Sequence, residues 1–153
     1  MDADAITKVY VGALVISMAL PVGVVMFAAV GYFVVSSGSL KPVGPPLGTP
    51  LLSAAAAVGL LAIFSAERIV NTVQARTEIR SSADAIRRFG MTTIVPQAVK
   101  EGVGLFGIVL GVLTGSTTWI LVFAGGAVVS MLVAMPKRED LEALARHLDS
   151  EAE

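Results

Sequence analysis

An uninterrupted apolar run of 27 residues, from Val9 to Val35, constrains this chain most. Ser17 is its one polar side chain apart from two amphipathic tyrosines. About 20 apolar residues in a helix are enough to cross the hydrocarbon core of a bilayer. The run therefore predicts a first transmembrane helix. Pro21 is expected to bend that helix, because proline cannot donate a hydrogen bond to the carbonyl four residues earlier.

The composition also indicates a membrane protein. Hydrophobic residues make up 55% of the chain and charged residues 15%, whereas about a quarter of the residues in a soluble protein are charged. There is no cysteine and one histidine, so the sequence offers neither thiolate nor histidine-rich metal sites. No Ser/His/Asp set or phosphate-binding glycine loop is found. We expect no enzyme activity, no catalytic residue, no metal, no cofactor and no nucleic-acid partner.

Three further apolar segments follow, and together they predict the fold class. The predicted class is an all-α integral membrane protein with four transmembrane helices in two hairpins and a short amphipathic cytoplasmic C-terminal helix. The expected segments are TM1 at 9–35, an external linker at 36–50, TM2 at 51–71, a basic cytoplasmic bend at 72–88, TM3 at 89–114, TM4 at 118–135 and a cytoplasmic tail at 137–153. The linker holds four prolines and three glycines, so no helix or central strand is expected to run through it.

Short signals mark the ends of these helices. Ser81 precedes Asp84 by three residues and is expected to cap a new helix. Residues 115–117 predict a tight turn, and Pro136 is expected to stop the fourth helix. Apolar residues recur at helical spacing in the tail and predict a helix that lies on a surface or binds a partner; these are Leu141, Leu144, Ala145 and Leu148.

The distribution of positive charge predicts the topology. Four crossings would place both termini and the bend on one side, with Lys41 alone on the other. The positive-inside rule assigns the first side to the cytoplasm of a plasma or inner cell membrane. Its cations are Lys8, Arg68, Arg76, Arg80, Arg87, Arg88, Lys137, Arg138 and Arg146.

Two charged residues, Lys100 and Glu101, interrupt the third apolar segment. A carboxylate in hydrocarbon costs about 2.5 kcal/mol or more, so it is a functional candidate. A helix from about residue 83 would place Glu101 near the centre of the span, whereas a helix with Pro96 in its first turn would place it near the headgroups. Residues 102–114 cover about 20 Å of helix against about 30 Å of hydrocarbon. Unless the helix is re-entrant, Glu101 lies inside the hydrocarbon boundary.

Polar and small residues occupy one face of this third helix, about a quarter of its circumference, with Glu101 just beside it. They are Thr93, Gln97, Lys100, Gly104, Gly107, Gly111 and Gly115. Glycines spaced by four let membrane helices approach closely. We therefore expect Glu101 to point into a helix interface and not toward lipid.

Two interpretations of the charged pair stay open. In the first, Lys100 extends to the inner membrane surface and Glu101 pairs with an arginine of the bend. In the second, Glu101 is a desolvated carboxyl that binds and releases a proton or cation. Thr93 and Gln97 would then be its neighbouring polar ligands.

Residues 51–115 resemble the proteolipid c subunit of rotary (F-type) ATP synthases. Ala98-Val99-Lys100-Glu101-Gly102 and Leu105-Phe106-Gly107-Ile108-Val109 look like the segment around that family's carboxylate. Ala75-Arg76-Thr77-Glu78 looks like its polar loop, and Glu67-Arg68-Ile69-Val70 like the residues leading into it. That family is a two-helix hairpin with an ion-carrying carboxylate in its second helix. The resemblance implies that Glu101 is the ion-carrying residue.

These observations lead to two main functional expectations. The first is a structural or assembly subunit of a membrane complex, in which the glycine face of the third helix packs against other copies or other membrane subunits. The alternative is proteolipid-like translocation of a proton or cation by Glu101. A small-solute transporter is a third possibility, although four helices would have to dimerise to enclose a path.

Overall fold

The computed structural model describes residues 3–39, 41, 45–75 and 81–151. These residues form five helices and no strand, which confirms the all-α prediction. The helices are α1 (Ala3–Ser36), α2 (Pro45–Ala75), α3 (Ser82–Thr114), α4 (Thr117–Val133) and α5 (Arg138–Glu151). Three helical segments, in α1, α2 and α3, are long and apolar enough to cross a membrane, while α4 is a shorter apolar helix of 17 residues.

The second helix begins inside the segment predicted to be an external linker. No helix runs through the whole of 36–50, but α2 starts at Pro45 and contains Pro50, so the predicted boundary between linker and helix lies six residues too late. Pro45 and Pro46 fall in the first turn of α2, where the missing N–H of proline would have had no partner, whereas Pro50 lies beyond it and removes one backbone hydrogen bond. Residues 40 and 42–44 of the predicted linker, and 76–80 of the predicted bend, lie outside the described residues.

The ends of α3 follow the predicted signals. The Ser81 hydroxyl accepts a hydrogen bond from the Asp84 backbone N–H at 3.2 Å, which confirms the predicted cap. Gly115 ends the helix in the left-handed conformation, with φ 68°, and Ser116 then caps α4, so the predicted tight turn is also confirmed. Between these ends α3 is continuous through Pro96. Of the two placements, the long helix is the one found.

The third helix is the centre of the bundle, because it packs against α1, α2, α4 and α5. Gly23 of α1 faces Glu101 of α3, and Gly31 faces Ile108, so α1 and α3 run parallel. The fourth helix runs antiparallel to α3 and also packs on α1. Within the described part of the chain, α1 and α2 share no extended contact, so the first predicted hairpin is not a closely packed pair.

The buried apolar side chains form two clusters. The outer cluster joins α1, α3 and α4 through Val24, Ile108, Ile120, Ala124, Ala127 and Met131. The inner cluster joins α1, α3 and α5 through Ile6, Ala13, Phe89, Leu141 and Ala145. The tail helix was expected to lie on a surface or bind a partner, but its apolar face instead packs on its own chain. The side chains of Leu144 and Leu148 lie outside the described residues.

Candidate functional site

Two polar side chains of α3 reach the carboxyl end of α4. Lys100 is 3% exposed, and its ammonium nitrogen donates a hydrogen bond to the Ser130 carbonyl oxygen at 3.2 Å. Gln97 is fully buried, and its Nε2 donates to the Ala134 carbonyl oxygen at 3.1 Å. The sequence-based hypothesis that Lys100 extends to the inner membrane surface is therefore wrong, since its ammonium lies between α3 and α4.

The reason for this arrangement is the chemistry of a helix end. The last carbonyls of a helix have no donor within the helix and carry partial negative charge. Away from water no solvent molecule replaces that donor, and Gln97 and Lys100 are both buried here. The Ser130 carbonyl does accept the backbone N–H of Ala134 at 3.3 Å, and Lys100 adds a charged donor to the same oxygen. Lys100 and Gln97 thus provide side-chain capping for α4 where Pro136 prevents the helix from continuing.

Glu101 lies at the contact between α1 and α3 and is half-buried. Its Oε1 is 3.5 Å from the point that a Cβ atom on Gly23 would occupy. A methyl group at Gly23 would meet this oxygen at an ordinary van der Waals distance, so the contact places α1 directly beside the carboxylate. Arg88 precedes Glu101 by 13 residues on the same helix, a distance of about 20 Å, so an ion pair with this arginine of the bend is excluded. Arg76 and Arg80 lie outside the described residues.

Buried polar atoms on α1 and α3 lie at the same height. Ser17 Oγ and Gln97 Oε1 are both buried and have no hydrogen-bond partner among the described residues. Because Gly23 faces Glu101 and Val24 faces Gly104, the parallel register of the two helices brings Ser17 to the level of Gln97. We call Ser17, Gln97, Lys100, Glu101 and the Ser130 carbonyl the polar layer. It separates the outer apolar cluster from the inner one.

Sequence reasoning identified three of the four side chains in the polar layer and missed Ser17. The available signal was its position as the lone serine among the aliphatic residues of the first apolar run, spaced by seven residues from Val24, which is also buried. Thr93 is half-buried one turn before Gln97, and lines a cleft where α2, α3, α5 and the carboxyl end of α4 meet.

The glycine face of α3 is covered by the chain's own fourth helix. A Cβ atom on Gly104 would lie 2.8 Å from the Ala127 Cβ, and one on Gly107 would overlap the Phe123 ring. A Cβ atom on Gly111 would lie 2.5 Å from the Ile120 side chain. Gly115 ends the helix and does not take part in this contact.

In the described chain this glycine face is occupied by α4, which takes the contact expected for other copies or partner subunits. The turn between α3 and α4 contains only residues 115 and 116, so α4 is held close to the face from the start. Packing α4 on this face requires closing only a short loop, which costs little chain entropy. A separate molecule would lose its translational and rotational freedom on binding there, which costs more. Glycine removes the side chains that would otherwise keep the two helices apart.

Close packing also separates the polar layer from the opposite end of the bundle. Beyond Lys100 and Glu101, the buried side chains contributed by α1, α3 and α4 are apolar. Gly31 allows α1 to approach closely there, since a Cβ atom would lie 3.0 Å from the Ile108 side chain. The polar layer is thus bounded on this side by the closely packed outer apolar cluster.

No protein-family model matches the chain, and neither a curated protein nor a solved structure is similar to it. The helices themselves define the class of protein. It is an all-helical protein with three helical segments long and apolar enough to cross a membrane.

Proposed function

We propose that this protein is a non-enzymatic structural or assembly subunit of a membrane complex, with the bilayer and either copies of itself or other membrane subunits as partners. The observation that carries the proposal is the internal use of the polar and small residues of α3. Lys100 and Gln97 cap α4, and the glycines bring α4 close. The outer surface of the helices is left with mainly apolar side chains, which are suited to lipid or to another membrane helix.

The surface proposed for assembly is the exposed face of α3 between α1 and α2. It consists of Met91, Val95, Ala98, Gly102, Phe106, Val109 and Leu113, all exposed. Ala98 and Gly102 are small residues spaced by four, and a Cβ atom on Gly102 would meet nothing within 4 Å. Another membrane helix could therefore approach closely at this point. We propose that this exposed face packs against other copies or other membrane subunits, the role that the sequence suggested for the glycine face.

The proposal includes four crossings, with both termini in the cytoplasm of a plasma or inner cell membrane. The 17 residues of α4 cover about 25 Å, slightly less than a hydrocarbon core of about 30 Å. Capping by Lys100 and Gln97 removes the need for α4 to reach water at its carboxyl end. This supports α4 as a fourth, short span.

Single-cysteine variants test the assembly surface cleanly because the sequence contains no cysteine. Gly102→Cys should give a crosslinked product of defined mass when intact membranes are treated with a membrane-permeant bis-maleimide. Gly125→Cys is the matched control, since Gly125 is also exposed and has nothing within 4 Å of a Cβ position. The proposal would be overturned if the two variants gave equal yields of crosslinked product, or if both stayed monomeric. Gly102→Leu should also lower the mass of the assembly in mild detergent without lowering the unfolding temperature.

A second candidate function is translocation of a proton or cation by Glu101. It is favoured by the half-buried carboxylate at the α1–α3 contact, beside exposed Gly102, where a partner subunit could reach it. The resemblance to the c subunit suggests the same role. Reconstituted vesicles should lose ion flux on Glu101→Gln but keep it on Glu139→Gln, which alters an exposed carboxylate of α5. Flux that is unchanged by Glu101→Gln would exclude this function.

A further inference from the structure

A cleft of about 570 Å³ opens where α2, α3, the carboxyl end of α4 and α5 meet. Four of the residues that line it carry hydrogen-bond donors, namely Arg88, Lys137, Asn71 and Thr93, and a fifth, Asp140, carries a carboxylate. We propose that this cleft binds a phosphate group, carried by an anionic phospholipid headgroup or present as free phosphate. The inference goes beyond the proposed subunit role and does not depend on it.

The charge of the cleft supports an anionic ligand. Two of the lining residues, Arg88 and Lys137, are cationic and one, Asp140, is anionic, so these three side chains carry a formal charge of +1. Guanidinium groups bind phosphate through paired, charge-assisted hydrogen bonds, and an ammonium adds a point charge. The Asn71 amide and the Thr93 hydroxyl can supply neutral donors. These groups are donors suited to phosphate oxygens, whereas a cation would be repelled by Arg88 and Lys137.

The depth of the cleft matches the headgroup layer. Arg88 is 26 residues from Thr114 along α3, about 39 Å, whereas Pro96 is 18 residues away, about 27 Å. The hydrocarbon core is about 30 Å thick, and the headgroups extend beyond it on each side. With Thr114 at the opposite boundary, Arg88 lies among headgroups and Pro96 lies at the edge of the hydrocarbon.

The remaining wall of the cleft suits an acyl chain or glycerol backbone. Phe89, Pro96, Val133 and Met135 line it beside the polar groups. A ligand with a phosphate at one end and an apolar body at the other would satisfy both parts. Basic pockets between membrane helices on the cytoplasmic side are known to bind anionic headgroups.

The test uses the full chain, purified in detergent and depleted of phospholipid. Binding of phosphatidylglycerol, phosphatidylcholine with the same acyl chains, and inorganic phosphate is measured by native mass spectrometry and by the shift in unfolding temperature. We expect phosphatidylglycerol to bind more tightly than phosphatidylcholine. Arg88→Gln and Lys137→Gln should each weaken that binding about tenfold or more, the loss expected when a charged hydrogen bond is removed.

Arg87→Gln is the matched control, because Arg87 is exposed on the same turn and does not line the cleft. Inorganic phosphate that binds with the same dependence on Arg88 would identify free phosphate as the ligand. Binding of phosphatidylglycerol alone would identify the lipid. Equal binding of both lipids, or equal effects of Arg87→Gln and Arg88→Gln, would overturn the proposal.

A second variant keeps the test decisive if Arg88→Gln fails to fold. Ala143 lines the cleft from an exposed position on α5, so Ala143→Trp should fill the cleft without removing a charge. We expect this variant to keep the wild-type unfolding temperature and to lose at least nine-tenths of its phosphatidylglycerol binding. Wild-type affinity in Ala143→Trp would overturn the proposal.

Discussion

The Lys100 ammonium lies 3.2 Å from the carbonyl oxygen of Ser130, so a buried cation of α3 is bound to the carboxyl end of α4. This contact explains how a lysine is accommodated in an apolar segment. The lysine supplies a donor to a helix end that has too few, and the helix end supplies negative potential to the lysine. The one contact therefore stabilises both the buried lysine of α3 and the carboxyl end of α4.

Replacing Lys100 should therefore weaken the whole bundle. Lys100→Met removes a charge-assisted hydrogen bond while keeping an unbranched side chain, and we expect the free energy of unfolding to fall by about 1.5–3 kcal/mol. The measurement is a reversible unfolding titration in mixed micelles. Lys41→Met, at an exposed position outside the helices, serves as the control. Equal stability of the two variants would show that the contact with Ser130 contributes nothing.

The approach of α4 to α3 makes Gly107 sensitive to size. Gly107→Ala places a methyl group in the space of the Phe123 ring, and overpacking of this kind costs about 1–3 kcal/mol. Adding Phe123→Ala should recover part of that loss in a double-mutant cycle. Gly125→Ala is the control, since it adds the same methyl group in open space on α4. Additive effects of the Gly107 and Phe123 substitutions would contradict the contact.

The start of α3 should depend on its cap. Ser81→Ala removes the acceptor of the Asp84 N–H and the donor to the Asp84 carboxylate, which lie at 3.2 Å and 2.7 Å. We expect a loss of about 1 kcal/mol, visible as faster amide hydrogen exchange over residues 83–85. Ser82→Ala alters the next hydroxyl, at an exposed position, and should change exchange far less. If both variants exchange alike, the cap does not hold the helix end.

The tail helix should detach when its buried leucine is shortened. Leu141 is fully buried in the inner apolar cluster, and Leu141→Ala in such a site costs about 2–5 kcal/mol. Because α5 is terminal, we expect the loss to release this helix while α1 to α4 remain folded. Limited trypsin digestion at Arg138 and Arg146 should accelerate. Ala143→Ser, at an exposed position, should be cleaved at the wild-type rate, and an unchanged rate in Leu141→Ala would contradict the docking.

Features that depend on local chemistry were predictable from the sequence. The Ser81 cap, the turn at Gly115 and the existence of the long apolar helices follow from residue types within a few positions of each other. The start of α2 was not predicted, because Pro45 can occupy a first turn as readily as a linker. Its conformation depends on the helix that follows it.

The partners of polar side chains were harder to predict. Lys100, Gln97 and Glu101 were recognised as unusual from their surroundings in the sequence, but the acceptors of Lys100 and Gln97 are backbone carbonyls 30 and 37 residues away. A backbone carbonyl has no sequence signature, since every residue has one. Only the antiparallel packing of α3 and α4 identifies which carbonyls are reached.

The sequence by itself determined the helical class, the apolar lengths and the ends of α3, because hydrophobic runs and capping residues act over short distances along the chain. The tertiary structure decided what each helix face contacts. It placed the chain's own α4 on the glycine face, left the opposite face of α3 exposed, and brought Arg88 and Lys137 to one cleft. The physical reason is that the periodicity of a helix shows which residues share a face, but not which other helix packs against that face. The neighbour depends on which helices can approach closely once all of them compete for the same surface.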